Sequence, residues 1–496
     1  MRPIYENIPA LSILFFMLTG IVSVLFRKRK TPYYLTVFAL VALLAASLSL
    51  TVSLSDGGVF TYSMGKWGAP WGNELRASVL EALLASAFAF TMLMSVWGGR
   101  HDAEADIREE KQGLYYILLD LLMASMLAMI YTNDIFTGYV FIEINTMTAC
   151  GLVMAKEEGR TIAATVRYLI MSLVGSALFL MSVVLLYGIT GHLLMDSLAP
   201  AIAALTAKGS YVLPLAALSC LMVCGLAIKS ALYPFSTWLP DAHGTATTTS
   251  SAVLSGLVIK GYIILLMKVL VHCYGPELTN ALGVSDFLLV LGALAMVMGS
   301  LKAIRETHLK RMIAYSTVAQ VGYIFLAIGM GTVGGYAAAF FQILAHAVAK
   351  ALIFTSAGGM IDASHHRKQL SELTGAARRC PLGGLGFTVG GLAMVGLPLL
   401  GSFVAKLLMA QSGAPLGVRG VVVLAALAVS GVLNALYYLP AMIRLWSPDD
   451  EREEMPKEKM GVGFTVSVVA LMAAVVALGT CYQPVAELLR LGAERM

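Results

Sequence analysis

Residues 218–243 read LSCLMVCGLAIKSALYPFSTWLPDAH. The run is apolar and long enough to cross a bilayer, yet it holds Lys229 near its middle and Pro234 five residues later. Proline removes a backbone donor and clashes with the carbonyl four residues back. The expected form is therefore a helix broken at membrane depth, with free backbone groups beside a charge. Residues 390–411, GGLAMVGLPLLGSFVAKLLMAQ, repeat the pattern: Pro398 lies in a glycine-flanked centre and Lys406 follows eight residues later. Interrupted helices at corresponding places in two halves of a membrane protein point to inverted repeats.

The rest of the chain agrees with that setting. Of 496 residues, 58% are apolar and 13% are charged, about half the charged share of a soluble domain. That excludes a soluble protein of this size and leaves little polar surface for a catalytic domain outside the bilayer. Apolar runs between polar breaks predict spans at 8–26, 32–55, 75–97, 113–132, 134–155, 161–189, 211–240, 250–272, 286–301, 312–331, 334–360, 381–411, 420–444 and 461–480. The predicted fold is all-α and polytopic, about fourteen transmembrane helices with two inverted five-helix repeats and broken helices 7 and 12. Its parts are 1–112, the first repeat at 113–272, the second at 273–411, and the last two helices at 412–496.

Charge gives the orientation. Arg27, Lys28, Arg29 and Lys30 follow the first span, the reverse of a cleavable signal peptide. Further positive charge gathers at Lys302–Arg311, Arg367–Arg379 and Arg444–Lys459, all after odd-numbered spans. Positive loops stay cytoplasmic, so both termini are expected outside in a multi-pass protein of the cell membrane. These basic loops read as topology determinants and partner-facing surfaces. The net charge of +5 therefore implies no nucleic-acid partner. The segment Asp56–Arg76, rich in Gly, Trp and Pro, predicts a hairpin or cap outside. Six scattered cysteines form no CxxC, so no metal centre or other cofactor is expected in this subunit.

An ionisable side chain at membrane depth costs about 2.5–3.5 kcal/mol, so each one needs a reason. Glu143, Lys229, Lys260, His346, Lys350 and Lys406 fall well inside spans, and Glu81 and Asp120 also fall within them. Arg167 and Lys268 lie nearer helix ends, where long stems reach the interface. Buried ion pairs rarely stabilise better than apolar residues. A chain of proton-passing groups is the simpler account of the central six. A carboxylate such as Glu143 favours the charged form of a nearby lysine, so moving or protonating it would load or release the proton on Lys229. His346 and Lys350 are four apart and share a helix face.

The stretches YVFIEI (139–144), IKSALYPFSTWLPDAH (228–243), SAVLSGLVIKGYIILL (251–266), HLKRMIAYSTVAQVGYI (308–324), AHAVAKALIFTSAGGMID (345–362) and GLPLLGSFVAKLLM (396–409) carry a resemblance. Together they resemble the antiporter-like subunits shared by respiratory complex I, Mrp-type cation/proton antiporters and membrane-bound energy-converting hydrogenases. The likeness runs from about residue 60 to about 410. KWGAPWGNELRAS (66–78) and the YVFIEI context look closest to the Mrp D-type and hydrogenase versions.

The resemblance implies a fourteen-helix subunit with a polar axis at mid-membrane. The family's fifth-helix glutamate matches Glu143, its broken seventh-helix lysine Lys229 and its eighth-helix lysine Lys260. The eleventh-helix histidine and lysine match His346 and Lys350, and the twelfth-helix lysine matches Lys406. The long lateral helix of the largest complex I homologue is expected to be absent. Two departures stand out. Where the family often has an APTPVSA-like run, this chain has Ala246-Thr247-Thr248-Thr249-Ser250-Ser251-Ala252, which puts the rigidity of that loop in doubt. Gln342 stands where some members carry a second histidine.

The expectation is a proton-translocating subunit, with sodium-linked antiport kept open. Proton uptake is expected through Asp241 and His243 towards Lys260 and Lys229. Transfer then runs past His346 and Lys350, with release from Lys406. The expected partners are the lipid bilayer, other membrane subunits and, in a redox-driven complex, iron–sulfur peripheral-arm subunits. An autonomous transporter for a small solute and a non-pumping scaffold subunit remain as alternatives.

Overall fold

In the computed structural model, described residues are 4–26, 30–68, 72–209, 211–448 and 460–496. The expected basic positions Arg27–Arg29 and 449–459 lie outside them. The chain is nearly all helix, and thirteen helices among the described residues are long and apolar enough to cross a bilayer.

In order, α1 is Ile8–Leu25, α2 Lys30–Ser53, α3 Val79–Gly98, α4 Gln112–Tyr131, α5 Ile135–Met154 and α6 Gly159–Thr190. Helix α7, Met195–Ala207, is short. The seventh span is broken into α8, Val212–Lys229, and α9, Trp238–Thr245. Then come α10, Thr248–Ala281, α11, Val284–Arg305, α12, Leu309–Ile328, and α13, Val333–Asp362. The twelfth span is likewise two pieces, α14, Pro381–Val395, and α15, Gly401–Gly413. Helices α16, Val418–Trp446, α17, Val462–Thr480, and α18, Tyr482–Glu494, complete the chain. Sequence periodicity did not predict α7 or α18. Both are short, and α7 lies between the spans predicted at 161–189 and 211–240.

Local chemistry starts these helices where they start. Ser78 and Glu81 form a capping box on α3, Asp134 accepts from the Thr137 amide at 2.6 Å to open α5, and Thr332 caps α13. Helix α6 stops at Gly191, at φ +74°. Helices α10 and α13 are buried almost all round and form the centre, whereas α1, α2, α6, α16 and α17 turn apolar faces outward. Small residues let α11 and α12 pack backbone to backbone: a Cβ on Gly292 would stand 2.4 Å from the Leu326 nitrogen.

The two ends of the bundle differ. At one, β1, Phe60–Ser63, pairs antiparallel with β2, Glu74–Ala77, the hairpin expected from Asp56–Arg76. Asn133 ties this hairpin end together, donating to Glu74 at 2.8 Å and to Asp196 at 3.0 Å. The hydrogen bond from His272 holds the Asp196 carboxyl below the usual carboxylate range. The opposite, basic end carries Arg100, Lys111, Lys156, Arg311 and Lys368.

Candidate functional site

The first break sets the scene. Lys229 is the last residue of α8; beyond it Ala231 takes φ +55° and the Tyr233–Pro234 bond is cis. Trp238 Nε1 donates to the Ile228 carbonyl at 3.2 Å, satisfying one of the groups the break frees. The Lys229 side chain is buried against Gly175, where a Cβ would meet its Cγ at 3.1 Å. Its Nζ donates to Thr146 Oγ1 at 2.7 Å, lies 3.8 Å from Glu143 Oε1, and stands 5.4 Å over the Tyr262 ring. Ser176 donates to the Glu143 carboxylate, which is 24% exposed. The site therefore opens sideways between α5 and α6.

Lys260 is fully buried one helix further in. Its Nζ donates to the Ser255 carbonyl inside a wide π-turn of α10, Leu254–Val258. Such turns leave carbonyls free for a side chain. His346 and Lys350 are fully buried on α13, and Lys260, His346 and Lys350 lie within electrostatic range of one another. Lys350 Nζ donates to the Ile313 carbonyl at 2.8 Å, to Ser316 Oγ, and to the Tyr438 hydroxyl at 3.4 Å. Gln342 bonds Gln320 at 2.8 Å.

At the second break Gly396 takes φ +98° and Leu399 φ +72°. Lys406, on α15, reaches back to the open end of α14, donating to the Met394 and Val395 carbonyls at 3.1 and 2.8 Å. Its Nζ lies 5.1 Å over the Tyr323 ring.

The two uptake residues part company. His243 is buried, stacked on Phe354 at 5.2 Å, with neither ring nitrogen hydrogen-bonded among the described residues, and it lies in range of Lys260 and Lys350. Asp241 instead sits at the surface, clamped by Arg167 and by Arg311 Nη1 at 2.5 Å. It borders a cavity of about 350 Å³ at the basic end, together with His308, Arg311 and Lys368. Burial, then Lys310 and Lys368, push the His308 imidazole down to about 4.

Three expectations need correction. Lys268 does not reach the interface: it is 2% exposed, 3.8 Å from Glu81, and donates to the Ile130 and Thr132 carbonyls at 2.7 Å. It closes the exposed carbonyl end of α4, a role that spacing alone does not reveal. Lys310, read as part of a topogenic loop, is buried and donates to the Ala246 carbonyl at 2.6 Å. The proline-poor loop is tied down by hydrogen bonds instead. Thr247 caps α10, Asp102 accepts from Thr248 N at 2.7 Å, and Ser251 donates to the His243 carbonyl at 3.1 Å. Hydroxyls there do what prolines do elsewhere.

The family model described as NADH:quinone oxidoreductase/Mrp antiporter, TM, matches residues 132–433. An NADH-quinone oxidoreductase subunit N from Desulforudis audaxviator is 33% identical over 440 residues, 87% of this chain and 85% of the relative. A D-type subunit of a Na(+)/H(+) antiporter from Alkalihalophilus pseudofirmus is 26% identical over 485 residues, 97% and 95% of the two chains. Among solved structures, a chain of a membrane-bound sulfane sulfur reductase, an archaeal respiratory membrane complex, superposes with TM-score 0.88. It is 25% identical, with 98% and 97% of the chains covered. A chain of the Mrp complex from a Dietzia species superposes with TM-score 0.85 at 23% identity over 100% and 98%.

Proposed function

Because the chain belongs to the NADH:quinone oxidoreductase/Mrp antiporter membrane family, we propose that it is the proton-translocating membrane subunit of a multisubunit complex. Protons pass along Glu143, Lys229, Lys260, His346, Lys350 and Lys406. The observation that carries this reading is the Glu143–Lys229 pair at 3.8 Å, one member sealed in the core and the other opening sideways.

At that separation two unit charges interact by about 4 kcal/mol with an effective dielectric near 20. Drawing Glu143 away, or protonating it, weakens the hold on the Lys229 proton by that order. Lys229 then gives its proton towards Lys260 and on to His346 and Lys350, and Lys406 releases it. His243 is the inner station for uptake. Asp241, clamped by two arginines, marks the mouth through which uptake begins. The basic end faces the cytoplasm and both termini lie outside the cell membrane. Helices α4–α10 and α11–α16 act as inverted halves of five spans each, and each half has one broken span. No cofactor is assigned to this subunit; where the complex is redox-driven, iron–sulfur partner subunits supply the electrons.

The test is to reconstitute the natively assembled complex with Lys229→Ala or Glu143→Gln and follow proton movement. At least a tenfold loss is expected in each, and normal pumping in either would sink the assignment. Sodium-linked transport is the second reading, favoured by the antiporter relative matched over nearly its whole length. Proton movement that depends on a sodium gradient would select it.

A further inference from the structure

Helix α16 is the fifth span of the second half, and the middle of its buried face is polar. Val421, Leu424, Val432, Leu436, Leu439 and Ile443 point outward, whereas Ser430, Asn434, Tyr437 and Tyr438 point inward and are at most 4% exposed. Packing alone does not call for this arrangement, because a buried hydroxyl or amide is costly unless partnered. The partners reach from one proposed proton station to the next. Tyr438 OH lies 2.8 Å from Ser316 Oγ and 3.4 Å from Lys350 Nζ, and Ser316 itself accepts from Lys350. The Tyr437 ring stands 4.8 Å from that of Tyr438, and Ser316 lies beside both phenols. Tyr437 OH donates to Asn434 Oδ1 at 2.6 Å. Asn434 Nδ2 donates to the Met394 carbonyl at 3.2 Å, the carbonyl that also accepts from Lys406, and to Tyr323 OH at 3.3 Å, below the Lys406 ammonium.

We propose that α16 supplies the link between Lys350 and Lys406: the hydroxyls of Ser316, Tyr438 and Tyr437 hand the proton onward, and Asn434 holds them in register. The inference rests on the translocation reading above. In each step an N–H or O–H bond breaks as an O–H bond forms on the next oxygen, whose own proton moves on. The last step runs from Tyr437 through one water that the proposal adds: the Tyr437 O–H bond breaks, the water gains one proton and gives up another, and an N–H bond forms on the free amine of Lys406. One proton is transferred and every hydroxyl is restored. Asn434 is a positioning residue, since an amide does not titrate here.

The complex is reconstituted with the Tyr437→Phe/Tyr438→Phe double variant, which removes two hydroxyls and keeps both rings, and separately with Ser316→Ala and Ser316→Thr. The double variant and Ser316→Ala are expected to slow proton movement at least tenfold. Ser316→Thr, which keeps a hydroxyl, should stay within twofold of the parent. Lys229→Ala is measured alongside. If it stops pumping while the double variant and Ser316→Ala pump normally, the α16 link is overturned and the wider reading stands. If Lys229→Ala pumps normally, both fall. Should the double variant fail to assemble, the Ser316 pair decides: equal rates for Ala and Thr overturn the link.

Discussion

The two broken spans place a lysine at the same electrostatic address by different covalent routes. Lys229 is itself the last residue of α8, whereas Lys406 belongs to the second piece, α15, and folds back onto the carbonyls ending α14. Both ammonium groups thus sit at the partly negative end of a helix dipole. They differ in what else stands near. Lys229 has the Glu143 carboxylate at 3.8 Å and a threonine hydroxyl, while Lys406, among the described residues, has carbonyls and the face of Tyr323 but no carboxylate. One lysine can be switched by a neighbouring charge. The other has fixed dipoles and an aromatic ring, so on the proposed path its proton would be governed by what arrives along the chain.

The comparison breaks most readily at Gly396. A Cβ there would stand 2.7 Å from Lys406 Nζ at a φ of +98°, where an L side chain is strained. Gly396→Ala is expected to cut pumping at least tenfold and to lower thermal stability. Ala231→Gly at the first break, where φ is +55° and a Cβ is already accommodated, should change pumping less than twofold. Similar results for the two variants would show that the breaks are alike after all.

Thr146→Val removes the 2.7 Å hydrogen bond to Lys229 but leaves Glu143 in place. A hydrogen bond to a charged group contributes about 1.5–3 kcal/mol. Part of that is recovered from Glu143, so a loss of about fivefold in pumping is expected. A loss as deep as that of Glu143→Gln would mean that the hydroxyl, and not the carboxylate, sets the first site.

On the other side, Tyr323→Phe keeps the ring under Lys406 and should lower pumping by no more than about twofold. Tyr323→Leu forfeits the cation–π contact, worth about 1–2 kcal/mol when desolvated, and should lose more. Equal behaviour of the two would remove the ring from the account.

The smallest effect concerns the mouth near the first break. His308 accepts the Arg311 amide at 3.4 Å and titrates near 4 in the folded protein, against about 6.5 unfolded. The unfolded chain therefore takes up a proton that the folded one refuses. The stability this gives is full above about pH 6.5 and is lost as the pH falls towards 4, roughly 2 kcal/mol by pH 5. His308→Asn keeps the cap and removes the titration. Its melting temperature in detergent should fall several degrees less than the parent's between pH 7 and pH 5. Identical slopes would count against the assignment.

Much of this was legible beforehand because membrane insertion makes charge informative. Lys229, Lys260, Lys350 and Lys406 stand out in apolar runs, and Pro234 and Pro398 mark both breaks. Residues without formal charge gave no such signal. Asn434, Tyr437 and Tyr438 lie in a stretch that reads as an ordinary span, and Thr146 and Ser176 are common helix residues. Lys310 and Lys268 misled because a lysine close to a helix end is as suited to the interface as to a buried carbonyl.

The sequence by itself determined that this chain crosses a membrane many times, where its helices break and which charges lie at depth. A bilayer admits few solutions and penalises each charge heavily, so composition and order suffice for that much. Only the tertiary structure decided which groups meet: Glu143 with Lys229, Lys406 with the end of α14, and Lys350 with Ser316 and Tyr438. Those contacts join residues up to 88 positions apart. They depend on how helices rotate and pack at close range, which the period of one helix does not encode.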